Sequence, residues 1–202
     1  MKEMPWRKLP RPWFADIGCG GAPAPFANIL VDKFPGETRH RNARLYTDGK
    51  LFIEADVMAL PFPDKSLDFV YCNHLLEHMD RPDLAATELQ RVSDKGLIFV
   101  PGIRSEAVAQ WHHPEKSVMH KWLSYRVDQK LFMVRCDTSK KDVTRERLIL
   151  MGGWPAVAQG MWEEIRVGWG WGGWPKQIDM ELFDIKPVLF GQERDDGEAV
   201  PE

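Results

Sequence analysis

Short apolar runs, each closed by a polar or acidic residue, recur along the first half of the chain. They lie at about residues 13–17, 29–32, 51–55 and 67–72, and they are rich in Ile, Leu, Val and Phe. Short runs of this kind, bounded by turn-forming residues, are typical of buried strands. The pattern therefore predicts an α/β protein whose central sheet is mostly parallel.

The first connection between these strands is unusually short. Residues 18–28 are rich in Gly and Pro, whereas a crossover between parallel strands normally takes about a dozen residues or more. Pro23 and Pro25 also oppose a regular helix in this stretch. We expect a first crossover without a full helix.

Two further elements are predicted downstream. Asp80 is a candidate helix cap, with Pro82 in the first turn, and the helix then runs to about Val92. Residues 121–125 and 130–135 flank a short polar turn. They predict an antiparallel hairpin with which the sheet ends.

Acidic residues and glycines follow the first two strands. Asp16 precedes Gly18 and Gly20, and Asp32 closes the second apolar run. Glycines at a strand-to-loop turn allow the backbone to approach a ligand closely, because no Cβ stands in the way. A carboxylate at the end of the second strand is placed to accept hydrogen bonds from ribose hydroxyls. The motif predicts a site for an adenosine-bearing cofactor.

Composition and charge narrow the possible partners. The chain has 202 residues, a net charge of −3 and a pI near 6.1, which argues against nucleic-acid binding because phosphates require a basic face. Arg39, Arg41 and Arg44 are interpreted as a solvated surface. The three cysteines lack paired spacing, and no apolar run approaches the ~20 residues of a membrane span. We expect a cytoplasmic protein that is not bound to a membrane.

The middle of the chain resembles a known family. Residues 52–71 and 73–78, together with 97–101 as a fifth strand, look like the class I S-adenosylmethionine-dependent methyltransferases of type 11. The likeness covers about residues 13–136. It is strongest to a subgroup that also has a short first crossover and a His-Lys-Trp segment, here residues 120–122. The resemblance implies a Rossmann-like class I methyltransferase fold with S-adenosylmethionine as cofactor.

The resemblance also implies where the cofactor lies. Asp16, Gly18 and Gly20 would border the methionine portion of the cofactor. Asp32 would bind the ribose, and Asp56 with the backbone of Val57 would bind the adenine. By the same resemblance, Asn73 and His74 would lie where the methyl group meets its acceptor. His74 is the candidate general base, since an imidazole has an ordinary pKa suited to proton removal near neutrality. A histidine that only hydrogen-bonds the adjoining helix is the alternative.

His74, Glu77 and His78 form a His-x-x-Glu-His pattern. On an α-helix this spacing would put all three on one face, as metal ligation requires. His112, His113 and His120 are candidates to complete such a site. The same Glu-His pair is common in the resembled family, most of whose members have no known metal, so the sequence predicts no metal site.

The C-terminal part of the chain changes in composition. Seven of the nine tryptophans follow residue 110, and the densest segment is 169–174, which is interpreted either as packing or as a lid for an acceptor. We expect a core at 1–136, a Trp-rich extension packed on it at 137–190, and a disordered tail at 191–202.

The predicted function is methyl transfer from S-adenosylmethionine to a small-molecule or carbohydrate-like acceptor. Members of the resembled subgroup occur among surface-polysaccharide and phage genes, which points to a glycan. Two alternatives stay open: an inactive methyltransferase-like binding or scaffolding protein, and a metal-dependent hydrolase.

Overall fold

The computed structural model describes residues 4–38, 41, 44–102, 105, 120–127, 130–135, 164–170 and 176–183. This part of the chain forms nine strands, one α-helix and two short 3-10 helices, at Pro5–Lys8 and Leu76–His78. The longer elements are, in chain order, β1 (Phe14–Ile17), β2 (Ile29–Asp32), β3 (Leu51–Glu54), β4 (Phe69–Asn73), α1 (Pro82–Val92), β5 (Gly96–Pro101), β6 (Trp122–Val127), β7 (Lys130–Arg135), β8 (Glu164–Trp169) and β9 (Asp179–Phe183). The predicted α/β class is confirmed.

The central sheet has six strands in the order β3-β2-β1-β4-β5-β8. Its first five strands are parallel, and they correspond to the apolar runs and the fifth strand predicted from the sequence. The chain adds β2 and β3 on one side of β1, and then β4 and β5 on the other side. This reversal creates a topological switch point above β1 and β4, where ligands bind in sheets of this type.

The predicted hairpin forms, but it lies outside the central sheet. β6 and β7 are antiparallel, and they belong to a second sheet of three strands in which β9 runs parallel to β7. The antiparallel strand that ends the central sheet is β8, which pairs with β5 from Gly96 to Pro101. β8 comes from the predicted extension at 137–190. The division of the chain at residue 136 stays a prediction.

The two faces of the central sheet are covered differently. Alternate residues of its strands point to one face, where they form a large buried cluster with α1 that includes Ala15, Ile17, Val31, Val70, Ile98, Leu89 and Trp169. On the other face Leu30 packs with Cys19, Ala24 and Ala27 of the first crossover. Residues 18–28 contain no helix, as predicted, so a loop covers the surface that a crossover helix would otherwise occupy.

The helix α1 has the predicted extent but a different cap. Arg81 is the N-cap residue and makes no capping hydrogen bond with its side chain. The prediction of Asp80 as the cap was wrong, because its carboxylate instead accepts a 2.6 Å hydrogen bond from Nζ of Lys121. The helix is held by packing, since its buried side chains recur at helical spacing: Ala85, Ala86, Leu89 and Val92.

Trp169 fixes β8 against β5. Its indole lies over Gly96, its cross-strand partner, and its Nε1 donates a 3.1 Å hydrogen bond to the carbonyl of Ser93. A Cβ added at Gly96 would lie 1.9 Å from Cη2 of Trp169. Only glycine leaves room for this ring, which is 1 % exposed.

We expect Gly96→Ala to lower the free energy of unfolding by about 1–3 kcal/mol, because the buried indole must shift to accept the methyl group. Gly36→Ala is the matched control, since an added Cβ there has no atom within 4 Å, and its effect should stay within about 0.5 kcal/mol. Urea denaturation of the three proteins measures both effects. Equal stability of the two variants would contradict this packing of β8 on β5.

Candidate functional site

A cleft of about 850 Å³ opens at the switch point of the central sheet. The carboxyl ends of β1, β2, β3 and β4 all reach it. Seven of the eight residues predicted from the sequence line it: Gly18, Gly20, Asp32, Asp56, Val57, Asn73 and His74. The structure thus brings together at one edge residues that lie up to 56 positions apart in the chain.

The turn after β1 has the backbone that its glycines permit. Gly18 has a φ of 75°, and an added Cβ would lie 2.9 Å from Cδ2 of Leu75. Gly20 has a φ of 54°, and its amide donates a 3.0 Å hydrogen bond to Oδ2 of Asp32. The amides of Gly18 and Cys19 both bond the carbonyl of Val31. The turn is therefore fastened to the end of β2 and leaves the cleft open above it.

Asp32 is the centre of this edge of the cleft. Besides the Gly20 amide, its carboxylate accepts a 2.9 Å hydrogen bond from the amide of Phe34, and a guanidinium nitrogen of Arg41 lies 3.8 Å from Oδ1. An ionised carboxylate offers about four lone-pair positions, so two backbone amides leave capacity for ribose hydroxyls. The position of Asp32 suits the role that the resemblance implies.

Asp56 and Val57 follow β3 at the next edge of the cleft. The carboxylate of Asp56 accepts hydrogen bonds from Nζ of Lys33, at 2.7 Å, and from the amide of Met58, at 2.9 Å. The Lys33 ammonium is the main reason that the pKa of Asp56 lies below its usual value. Asp56 is therefore an anion that shapes the turn containing Val57, and both residues face the cleft.

Asp16 differs from the other predicted residues, because it does not line the cleft. Its side chain is 2 % exposed and accepts a 2.7 Å hydrogen bond from the amide of Ala24. Burial raises the pKa of Asp16 to about 6, although the Ala24 amide and the charge of Lys50 act to lower it. The structure gives Asp16 a supporting position: it holds the first crossover against β1 from the face opposite α1.

His74 and Asn73 lie at the opposite end of the cleft. His74 has a φ of 52°, and its amide continues the β4–β5 ladder by bonding the carbonyl of Phe99. The carboxamide oxygen of Asn73 is buried and accepts no hydrogen bond from the described residues. Asn73 lines the cleft, although this oxygen itself is not exposed to it.

The imidazole of His74 stands between two carboxylates. Nδ1 lies 3.3 Å from Oε1 of Glu77, and Nε2 lies 3.3 Å from Oε1 of Glu164. Glu77, and secondarily Glu164, raise the pKa of His74, while burial acts against them. The expectation that His74, Glu77 and His78 share an α-helical face was wrong, because residues 76–78 form a 3-10 helix and His74 precedes it in a left-handed conformation.

Three residues of this region were not predicted as part of the site. Glu164 begins β8 and reaches His74 only through the pairing of β8 with β5. Arg41 was interpreted as solvated surface, yet its side chain is 8 % exposed and lines the cleft. Lys121 also lines the cleft, and its segment was noted only for its resemblance. His112, His113 and residues 171–174 lie outside the described residues.

Residues 15–100 match the sequence model of a methyltransferase domain. The match covers less than half of the chain, which is similar to the methyltransferases over this part. The matched domain runs from β1 to β5 and contains all eight predicted site residues. This similarity implies the use of S-adenosylmethionine.

Curated relatives of the methyltransferase domain carry the same general description. An uncharacterized methyltransferase of Mycobacterium avium is 33% identical over 93 residues, which are 42% of this chain and 37% of the relative. A similar protein of Mycobacterium tuberculosis is 32% identical over 93 residues, with the same shares of the two chains. The chain thus spans little more than a third of the curated relatives that it matches.

Among solved structures, the PH0226 protein of Pyrococcus horikoshii is similar to this chain with 20% identity and a TM-score of 0.40. The likeness covers 72% of this chain and 75% of the other. In the part of the chain described here, no helix is both long and apolar enough to cross a membrane.

The raised pKa of Asp16 predicts a pH dependence of stability. The folded state holds a proton on Asp16 up to about pH 6, whereas the unfolded chain releases it near 3.8. Stability therefore falls as the pH rises through this window, by about 3 kcal/mol for a shift of this size. Asp16→Asn keeps an oxygen for the Ala24 amide and removes the charge.

Chemical denaturation of wild type and Asp16→Asn between pH 4 and pH 7 tests this effect. The variant should gain stability relative to wild type by about 3 kcal/mol across the range. Other carboxylates titrate equally in both proteins and cancel in the difference. A difference that stays constant with pH would show that Asp16 is ionised in the folded protein throughout.

Proposed function

We propose that this protein transfers a methyl group from S-adenosylmethionine to a small-molecule or carbohydrate-like acceptor. The observation that carries the proposal is the open cleft at the switch point, lined by seven of the eight residues that the resemblance assigns to cofactor and acceptor. When bound, the cofactor supplies a sulfonium methyl group that is transferred in one in-line displacement, which leaves S-adenosylhomocysteine and a methylated acceptor atom.

The cofactor end of the cleft is where β1, β2 and β3 finish. Asp32 would accept hydrogen bonds from the ribose hydroxyls with the lone pairs that Gly20 and Phe34 leave free. The turn at Asp56 and Val57 would border the adenine. The glycines after β1 would let the methionine portion pass close to the backbone.

The acceptor end also carries polar side chains. Asn73, His74 and Lys121 line it, and Glu164 backs His74. Such groups suit an acceptor rich in hydroxyls. His74 would orient the acceptor by hydrogen bonding, and its two carboxylate neighbours fix the plane of the ring. Alignment of two reactants in this way can contribute about 7–11 kcal/mol to lowering a barrier. A hydroxyl acceptor must also give up its proton as the methyl group arrives, and His74 is the candidate base that would take it.

Cofactor binding is tested by calorimetric titration with S-adenosylmethionine and S-adenosylhomocysteine. We expect wild type to bind both, and Asp32→Ala to bind about 1.5–3 kcal/mol more weakly, the scale of hydrogen bonds to a charged group. Asp94→Ala removes a carboxylate that is 74 % exposed and outside the cleft lining, and it serves as control. Absence of heat with either ligand would refute the proposed cofactor site.

Transfer is tested with methyl-labelled S-adenosylmethionine and a panel of saccharides and small hydroxylated molecules. For an acceptor that becomes labelled, His74→Gln should lower kcat by about 10- to 100-fold, the value of one hydrogen bond with a charged partner, and leave the Kd of the cofactor unchanged. An equal loss in cofactor affinity would place His74 with the cofactor instead of the acceptor.

A binding protein without catalysis is the second candidate. The crossover without a helix favours it, because the cofactor site lacks the helix N-terminus that would add amide donors. The ion pair of Arg41 with Asp32 points the same way, since a bound ribose would have to share that carboxylate. Absence of heat with either cofactor ligand, together with absence of label transfer, would favour this candidate.

A further inference from the structure

Glu77 is the most deeply buried charged side chain near the cleft. It is 0 % exposed, and neither of its carboxylate oxygens accepts a hydrogen bond of good geometry. Among the described residues no lysine or arginine forms an ion pair with it. Its nearest counter-charge is the imidazole of His74, whose Nδ1 lies 3.3 Å from Oε1 and whose Nε2 faces Glu164. A buried carboxylate that shares one imidazole with a second carboxylate is incompletely compensated for its lost hydration, so the position favours a further cation.

Besides His74, two further imidazoles lie near the carboxylate of Glu77. Nε2 of His78 lies 3.9 Å from Oε1 of Glu77, and the rings of His78 and His120 meet edge to face with centroids 4.6 Å apart. One donor atom from each of these three side chains lies within 4.8 Å of the other two. Ligands about 2.1 Å from a tetrahedral metal ion are about 3.4 Å apart, so small side-chain rotations would complete the coordination.

The backbone holds His120 in place independently of any ligand. The amide of Lys121 donates a 2.7 Å hydrogen bond to the carbonyl of Glu77, and Nε1 of Trp122 donates one of 2.7 Å to the carbonyl of Met79. The Lys121 ammonium adds its bond to Asp80. These contacts fasten the start of β6 to the 3-10 helix at 76–78, which brings the three side chains together before a cation arrives.

We propose that Glu77, His78 and His120 form a binding site for a divalent transition-metal ion, with Zn²⁺ as the ion best suited to it. Two imidazole nitrogens and one carboxylate oxygen are a ligand set typical of Zn²⁺ sites that keep an open position. His78 lines the cleft, so the open position is directed to its acceptor end. The site departs from the sequence-based expectation of no metal.

The choice of ion follows from the donors. Mg²⁺ and Ca²⁺ prefer oxygen ligands and higher coordination numbers, so a site with two nitrogens and one oxygen disfavours them. First-row transition ions accept imidazole readily. The ion would also add positive charge beside Glu77, which shares the imidazole of His74 with Glu164, and it would connect β6 to the 3-10 helix.

The test uses the full chain after removal of metals by a chelator and dialysis. Zn²⁺ is titrated in competition with a chromophoric chelator, and the thermal midpoint is followed with Zn²⁺ and with Mg²⁺. His120→Phe is the decisive variant, because it keeps an aromatic ring against His78 and removes the ligand. His120→Cys is its matched control, since a thiolate still coordinates Zn²⁺.

We expect wild type to bind one Zn²⁺ and to be stabilised by Zn²⁺ but not by Mg²⁺. His120→Phe should bind at least about 100-fold more weakly, beyond the effect of losing an outer partner of a metal ligand, while His120→Cys keeps binding. Equal Zn²⁺ affinity of wild type and His120→Phe would overturn the proposal, since the other histidines would then account for the binding. The titration needs neither cofactor nor acceptor, so its outcome is independent of the proposed methyl transfer.

Discussion

The connection between β1 and β2 is the constraint on which the rest of the cleft depends. Residues 18–28 must cross from one parallel strand to its neighbour without a helix. Two carboxylates stabilise this loop instead: Asp16 accepts a hydrogen bond from the amide of Ala24, and Asp32 accepts one from the amide of Gly20. One fastens the loop to the face of the sheet, and the other fastens it to the strand ends. The crevice keeps its opening because this loop is tied down on both sides.

The strands of the matched region, residues 15–100, could be predicted because their signal is local. The runs that became β1 to β4 are compact, apolar and closed by turn residues, so burial and propensity favour the same structure. β8 alternates buried Ile165 and Val167 with Glu164, Arg166 and Gly168, a pattern that is typical of a strand but does not say which strand it pairs with. Its place is decided by pairing with the distant β5 and by the fit of Trp169 over Gly96.

The location of the site on the sheet could be predicted from the sequence, but the directions of its side chains could be predicted only in part. Sequence order places Asp16, Asp32 and Asn73 at strand ends, and parallel strands bring those ends to one edge. Which face a side chain takes depends on the phase of the strand, and Asp16 turns away from the cleft because Ala15 and Ile17 face the main core. His74 was predicted on an α-helix, but the chain turns tightly there and aims its ring between Glu77 and Glu164.

Because β8 pairs with β5 in the central sheet, the C-terminal part of the chain is needed for the structure of the N-terminal part. A fragment ending at residue 136 would leave β5 as a bare edge strand, with unpaired amides and carbonyls available to other chains, which favours aggregation. It would also leave Nε2 of His74 without its carboxylate neighbour. The boundary of the family match at residue 100 is therefore not a boundary at which the molecule can be cut.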